Sequence, residues 1–263
     1  MGFLRKIINR ILGVNVFRAL KILIYISKPL KGRNKLFSLK LFNLIIKTIR
    51  IEDNYNRMIK KKIIDRYNSL YKFEYEDWFT RNIPIWDYIF DSYNLRDKEI
   101  DYLEIGSYEG RSSLFILELL QKTNCEFVDP YIDYAATPTF SAKQMNEIYN
   151  NFKKKIEKFS HRTKIYKTSS VEFFANNKKK YDLIYIDGSH YGPDVEKDLI
   201  SSYEVLNKDG IIILDDLLWN HYKQIDQNPV GGIIPFVKEN FDKLKVITVG
   251  DQLILQKKIA VFI

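Results

Sequence analysis

Acidic residues fall at the ends of apolar runs in a way that could do chemistry. Glu104 closes the run before Gly106, Asp129 closes Cys125–Val128, Asp187 closes Tyr181–Ile186, and Asp215-Asp216 closes Gly210–Leu214. Carboxylates gathered at one place are costly unless they meet a cation or hydrogen-bond donors. Asp129 lies 25 residues beyond Glu104, at the second strand end, where an acid can accept both hydroxyls of a ribose. Gly106 and Gly110 bracket a tight turn through Ser107 and Glu109 that lets backbone approach a ligand closely. That turn is neither a dinucleotide fingerprint nor a phosphate loop. Asp187, Asp215 and Asp216 form an oxygen-rich set suited to Mg²⁺. Without a metal, they read as loop caps and orienting groups. His190, three residues past Asp187, is the best candidate general base. Otherwise it is a loop histidine that caps the next helix. His221 reads as pocket lining and His161 as surface.

The elements that must position these residues alternate along the chain. Strands are expected at Glu99–Ile105, Cys125–Asp129, Thr163–Lys167, Tyr181–Asp187 and Gly210–Asp216. Helices are expected at Ser112–Gln121, Ser141–Phe159, Val171–Ala175, Asp194–Leu206 and Ile234–Phe241. Such alternation predicts an α/β, doubly wound, mostly parallel sheet. Leu244–Gly250 and Gln252–Gln256 read as a closing antiparallel hairpin at or near the edge. Ligands in this architecture bind beyond the carboxyl ends of the strands.

Five segments, in order, resemble class I S-adenosylmethionine-dependent methyltransferases: Asp77–Trp86, Leu103–Ser113, Val128–Pro130, Tyr181–His190 and Gly210–Asp216. The resemblance is nearest to small-molecule O-methyltransferases of sugar or glycan type with an Asp-Gly-Ser-His signature after strand four, here Asp187-Gly188-Ser189-His190. It spans about residues 75–258 and implies a Rossmann-like fold with a seven-stranded sheet. It further implies that Gly106, Ser107, Glu109 and Gly110, continued by Arg111 and Ser112, pass under the methionine part of the cofactor. Glu104 would lie near the cofactor's amino group, Asp129 on the ribose, Ser169 and Ser170 near the adenine, and Asp187 near the methyl donor. The relatives that bind Mg²⁺ would do so between strands four and five. Trp78, Phe79, Arg81, Asn82 and Trp86 precede strand one, where a lid over the site can form, although packing in the core is the expectation for Trp78 and Trp86. Trp219, Tyr222 and the loop to Gly232 are expected at the acceptor pocket.

The expected reaction is methyl transfer to a hydroxyl of a small polar acceptor. The rivals are an RNA or protein methyltransferase, and a non-catalytic membrane-associated protein that keeps the fold. Charge bears on this choice. The 263 residues carry a net charge of +9, but twelve of the 42 basic residues and none of the 33 acidic ones lie in residues 1–50. The remainder has a slight acidic excess, which argues against nucleic acid as partner. Residues 1–72 therefore read as a basic helical extension and residues 73–263 as the methyltransferase domain. Leu4, Ile7, Ile8, Ile11 and Leu12 form one apolar helical stripe, and Leu36, Leu39, Phe42 and Ile46 another. Such helices can lie on an anionic membrane or pack on the body or a second subunit. No run suits a membrane span or secretory signal, and the lone Cys125 fits a reduced, cytoplasmic setting.

Overall fold

A computed structural model describes residues 16–30, 35–58, 60–132 and 140–258. Seven strands form one sheet in the order β3-β2-β1-β4-β5-β7-β6. These are β1 (Ile100–Ile105), β2 (Thr123–Val128), β3 (Thr163–Tyr166), β4 (Tyr181–Ile186), β5 (Leu206–Leu214), β6 (Leu244–Val249) and β7 (Leu253–Lys257). β1 to β5 pair in parallel. β7 runs antiparallel to both β5 and β6, so the expected hairpin closes one edge.

Side chains in a strand alternate between faces, and the two cores follow from that. Leu103, Ile105, Val128, Ile184, Ile186, Ile212 and Leu214 join one cluster, which also holds residues of α8 (Gly192–Val205) and α9 (Pro229–Glu239). Tyr102, Phe127, Leu183, Tyr185, Ile211 and Ile213 join the other, with residues of α4 (Ile83–Ser92), α5 (Arg111–Leu119) and α6 (Ala142–Ile156). Helices on both faces are what a parallel sheet requires to bury its strands. α7 (Ser170–Asn176) completes the crossover from β3 to β4.

The basic segment is built into this frame. Ala19, Ile22 and Ile26 of α1 (Val16–Ser27) and Leu41, Ile45 and Ile49 of α2 (Lys35–Met58) are buried in the first cluster. Of the second expected stripe, Phe42 and Ile46 are packed against that cluster. Thr48 Oγ1 accepts the Val249 N–H at 2.9 Å, so α2 covers part of the β6 edge. Arg18 of α1 and Glu52 of α2 are paired at 2.7 Å. α3 (Lys60–Leu70) leads towards the body. The stripe from Leu4 to Leu12, and the side chains of Leu36 and Leu39, lie outside the described residues. No described helix is long and apolar enough to cross a membrane. Cys125 is buried, and burial pushes its thiol pKa up.

Candidate active site

Strand register places the acids. Ile105 is level with Val128 and Ile186, and Ile186 with Leu214. The next residues therefore share one row. Gly106 N–H bonds to Val128 O, Asp129 N–H to Tyr166 O, Asp187 N–H to Ile105 O and Asp215 N–H to Ile186 O. Three non-glycine residues in these strand-end loops, Tyr108, Tyr131 and Asp216, have positive φ of 46°, 53° and 52°. Such backbone strain concentrates where surrounding structure enforces it, commonly at functional sites.

The first half of the site is the turn after β1. Gly106 has φ 89°, and a Cβ there would lie 2.0 Å from Asp187 O, so only glycine lets β1 and β4 meet at this level. A Cβ at Gly110 (φ 85°) would enter the Phe152 ring. Asp129 accepts the N–H of Tyr108 within the turn at 2.9 Å and of Tyr131 at 2.6 Å. Burial pushes its pKa up, while these backbone donors pull the other way. A carboxylate has about four acceptor positions, so Asp129 can still take hydroxyls. Ser107 Oγ is buried and has no hydrogen-bond partner among the described residues. A glycine cradle, an acid at its rim and an orphaned hydroxyl fit a nucleoside-type cofactor.

Six expected cofactor contacts, Glu104, Glu109, Arg111, Ser112, Ser169 and Ser170, have partners within the protein. Glu104 is fully buried and accepts from Ser112 Oγ, Ser113 Oγ (2.9 Å) and Tyr102 OH (3.0 Å), so its oxygens are engaged beneath the turn rather than open to an amino group. Burial raises its pKa to about 8. Glu109, also fully buried, accepts the N–H of Glu74 (2.6 Å) and Tyr75 (3.2 Å) and pairs with Lys155 Nζ at 2.8 Å. Arg111 donates to Tyr75 O at 2.8 Å and stacks 4.0 Å from the Phe73 ring. Glu109 and Arg111 therefore latch the segment around Phe73–Asp77 onto the turn. Ser112 is spent on Glu104. Ser169 caps α7 by accepting the Glu172 N–H, and Ser170 bonds Asp198.

The same segment carries aromatic residues. Trp78 is 52% exposed and packs on Tyr108 at 5.4 Å, with Tyr75 and Phe140 on the other sides of Tyr108. Trp78 is thus no core residue, because its neighbours are the turn and solvent. Trp86 is fully buried, as expected, against Phe79 and Tyr185.

The second half lies past β4 and β5. Asp187, His190 and Asp216 bring ligand atoms within 4.8 Å of one another. His190 Nε2 is 2.8 Å from Asp216 and 3.9 Å from Asp187, and Arg81 reaches Asp216 at 3.6 Å. Asp215 does not join them, which corrects its assignment as a metal ligand. Its carboxylate takes donors from Asn82 Nδ2 (3.1 Å), Gln252 Nε2 (2.9 Å), Tyr185 OH and the Asp216 N–H (2.7 Å). Those bonds fill its acceptor positions on the protein side. Burial, with the charges of Asp187 and Asp216, raises its pKa to about 7. His190 takes its place in the cluster. Burial alone would lower the imidazole pKa, but the hydrogen bonds and charges of Asp187 and Asp216 outweigh it and raise it to about 10. An imidazolium holds its proton, so in this arrangement His190 is an acid partner of two carboxylates rather than a ready base. Burial pushes the Asp187 pKa up.

Trp219 packs on His190 at 5.0 Å and on His221 at 5.2 Å. This loop is held by Asn228, which sequence reasoning missed. Asn228 is fully buried, accepts from the N–H of His221 and Tyr222, and donates to Tyr222 O and Gln224 O. An asparagine directly before a proline at a helix start was its only signal. Tyr25 of α1 donates to Trp219 O at 2.9 Å.

Residues 103–217 match the family model described as a methyltransferase domain. Among solved structures, the chain is similar to a putative caffeoyl-CoA O-methyltransferase from Staphylococcus aureus. The identity is 14% and the TM-score 0.51, over 81% of this chain and 99% of that one. It is also similar to a Podospora anserina methyltransferase bound to SAH, at 13% identity and TM-score 0.52, over 88% of this chain and 98% of that one. No curated protein matches significantly. The fold is the Rossmann-like fold of class I methyltransferases, and the match to a methyltransferase domain falls on β1 to β5, where the strand-end acids stand.

Proposed function

We propose that this chain transfers the methyl group of S-adenosylmethionine to a hydroxyl of a small polar acceptor, of sugar or glycan-precursor type. The observation that carries the reading is Asp129 bonded to the turn between Gly106 and Gly110, at the row of strand ends where ligands of this architecture bind. The cofactor supplies a methyl group already electrophilic on its sulfonium. The protein's share is to hold the acceptor in line, exclude water and take up the hydroxyl proton. Gly106 and Ser107 would cradle the amino-acid end, and Asp129 would take the ribose hydroxyls. Asp187, His190 and Asp216 stand beyond, where a carboxylate of the cluster would take the proton of the acceptor hydroxyl as its oxygen bonds the methyl carbon and the carbon–sulfur bond breaks.

Two carboxylates and an imidazole within 4.8 Å also suit a divalent cation such as Mg²⁺. Asp187, His190 and Asp216 would be its ligands, and it would lower the pKa of a bound hydroxyl. Binding would require His190 to lose its proton. Residues 73–263 act in this reading as the catalytic body, residues 1–72 as its extension, in a cytoplasmic setting. Membrane contact or self-association through residues 1–50 is a separate proposal. Leu20 and Ile24, exposed on α1 beside Lys21, support the membrane form.

Calorimetry tests the core of the proposal. S-adenosylmethionine should bind the full chain, and Asp129→Ala should weaken it by about 10- to 100-fold, the cost of losing charge-assisted hydrogen bonds. Absence of binding at millimolar cofactor would overturn the reading. Mn²⁺, as a paramagnetic probe, should bind wild type and lose its site in Asp216→Asn. An unchanged Mn²⁺ signal in that variant removes the metal assignment.

A further inference from the structure

A cavity of about 180 Å³ lies between the N-terminal helices and the body. Its walls include Arg18 of α1, Glu52 of α2, Arg81 and Asn82 before α4, and Asp251 and Gln252 between β6 and β7. None of the residues read from sequence as cofactor or metal ligands lines it, yet it adjoins their cluster. Arg81 also pairs with Asp216, and Asn82 and Gln252 also donate to Asp215.

The walls specify the chemistry of an occupant. Both cations already face carboxylates, Arg18 with Glu52 at 2.7 Å and Arg81 with Asp216 at 3.6 Å. Asp251 adds a further carboxylate, and burial raises the pKa of Glu52 against the pull of Arg18. The lining thus carries two cations and two acids, Arg18 and Arg81 against Glu52 and Asp251, and with no net charge it gives a charged occupant no counter-charge of its own. Carboxylates and side-chain amides at close spacing instead accept from and donate to many hydroxyls at once. The volume holds on the order of a dozen water-sized groups, about one ring with its substituents. It is too small for a large planar acceptor.

We infer that this cavity binds the methyl acceptor, an uncharged hydroxyl-rich molecule of one sugar ring, and that α1 and α2 form one wall of its site. The fate of the bound hydroxyl rests on the methyltransferase reading, whereas occupancy of the cavity does not. The wall is tied to the acceptor side at a second point, since Tyr25 holds the Trp219 carbonyl. The basic N-terminal helices thereby help to define substrate, alongside whatever else they do.

The test uses the full chain with SAH added, and glucose, galactose, mannose, rhamnose and myo-inositol as probes in saturation-transfer NMR. At least one should bind at millimolar concentration, more tightly than glucose 6-phosphate. That probe should slow hydrogen exchange at residues 81–85 and 251–252 of wild type. Asp251→Phe, which fills the cavity, should weaken it at least 10-fold while SAH affinity and melting temperature hold. Should that variant melt early, the exchange footprint on wild type decides alone. The inference is overturned if none of the probes binds, if the phosphate binds tighter, or if protection falls elsewhere. Cofactor binding without sugar binding removes this pocket and leaves the methyltransferase reading. Sugar bound here without cofactor binding removes the reading and leaves the pocket.

Discussion

Glu104 shows how far a single residue's surroundings can carry it from its expected role. Complete burial lifts its pKa to about 8, against 4.5 in the unfolded chain, although three hydroxyl donors pull the other way. The folded state therefore keeps a proton that the unfolded state releases. Its contribution to stability is complete below about pH 4.5 and declines as pH rises towards 8. Urea unfolding should show this slope in wild type, up to roughly 5 kcal/mol, and a flatter profile in Glu104→Gln. Equal slopes in the two proteins would remove the assignment. The acids at the strand ends were legible because parallel strands buried on both faces read as uninterrupted apolar runs, and the residue that breaks each run marks its end. Which of Asp215 and Asp216 faces the cleft was not legible. It depends on Asn82 and Gln252, remote in sequence from both, and on the positive φ of Asp216. His190 was found by its position, but its charge state was set by two neighbours that the sequence alone does not place.

Between residue and domain stands the segment from Phe73 to Trp78, which has no regular hydrogen bonding of its own and depends on the latch. Glu109 accepts two of its N–H groups and Arg111 donates to one of its carbonyls. Glu109→Gln leaves Lys155 without its charge partner and one amide oxygen where two carboxylate oxygens stood. The exchange of the Glu74 and Tyr75 amides should speed up by about 10- to 100-fold, corresponding to roughly 1–3 kcal/mol of local stability. Unchanged exchange would show that aromatic packing alone holds the segment. Glu109 read from sequence as an extra acid near the cofactor because the turn's backbone path, which turns it away, is set by Gly106 and Gly110 together with the Phe152 ring. Element types were readable from β1 onward, whereas the helix α4 ahead of it was not expected. The start of α9 at Pro229, ahead of the expected Ile234, was not readable, since Gly231, Gly232 and Pro235 masked the helical pattern.

For the whole molecule, basic side chains and a buried apolar stripe share the two helices α1 and α2. Lys21 of α1 and Lys40, Lys47 and Arg50 of α2 carry part of the basic surplus, while Ala19, Ile22, Ile26, Leu41, Ile45 and Ile49 extend the core. Ile45→Ala should cost about 2–5 kcal/mol in chemical denaturation, a loss too large for an accessory arm. Removal of residues 1–58 should leave a body that melts early or aggregates. An unchanged unfolding midpoint in Ile45→Ala would show that α2 does not share the body's cooperative unit. Membrane association is therefore better examined with Ile24→Glu, on the exposed face of α1, than by truncation. Vesicles of anionic lipid should pellet wild type more than this variant, and equal pelleting would end the membrane proposal.

The bond from Val249 to Thr48 joins residues 201 positions apart. During synthesis at 5–20 residues per second, α2 is complete about 10–40 s before its partner strand exists. Throughout that interval its apolar face and that of α1 have no sheet edge to cover. Until β6 and β7 are made, the chain therefore exposes a basic, amphipathic surface that the completed sheet buries.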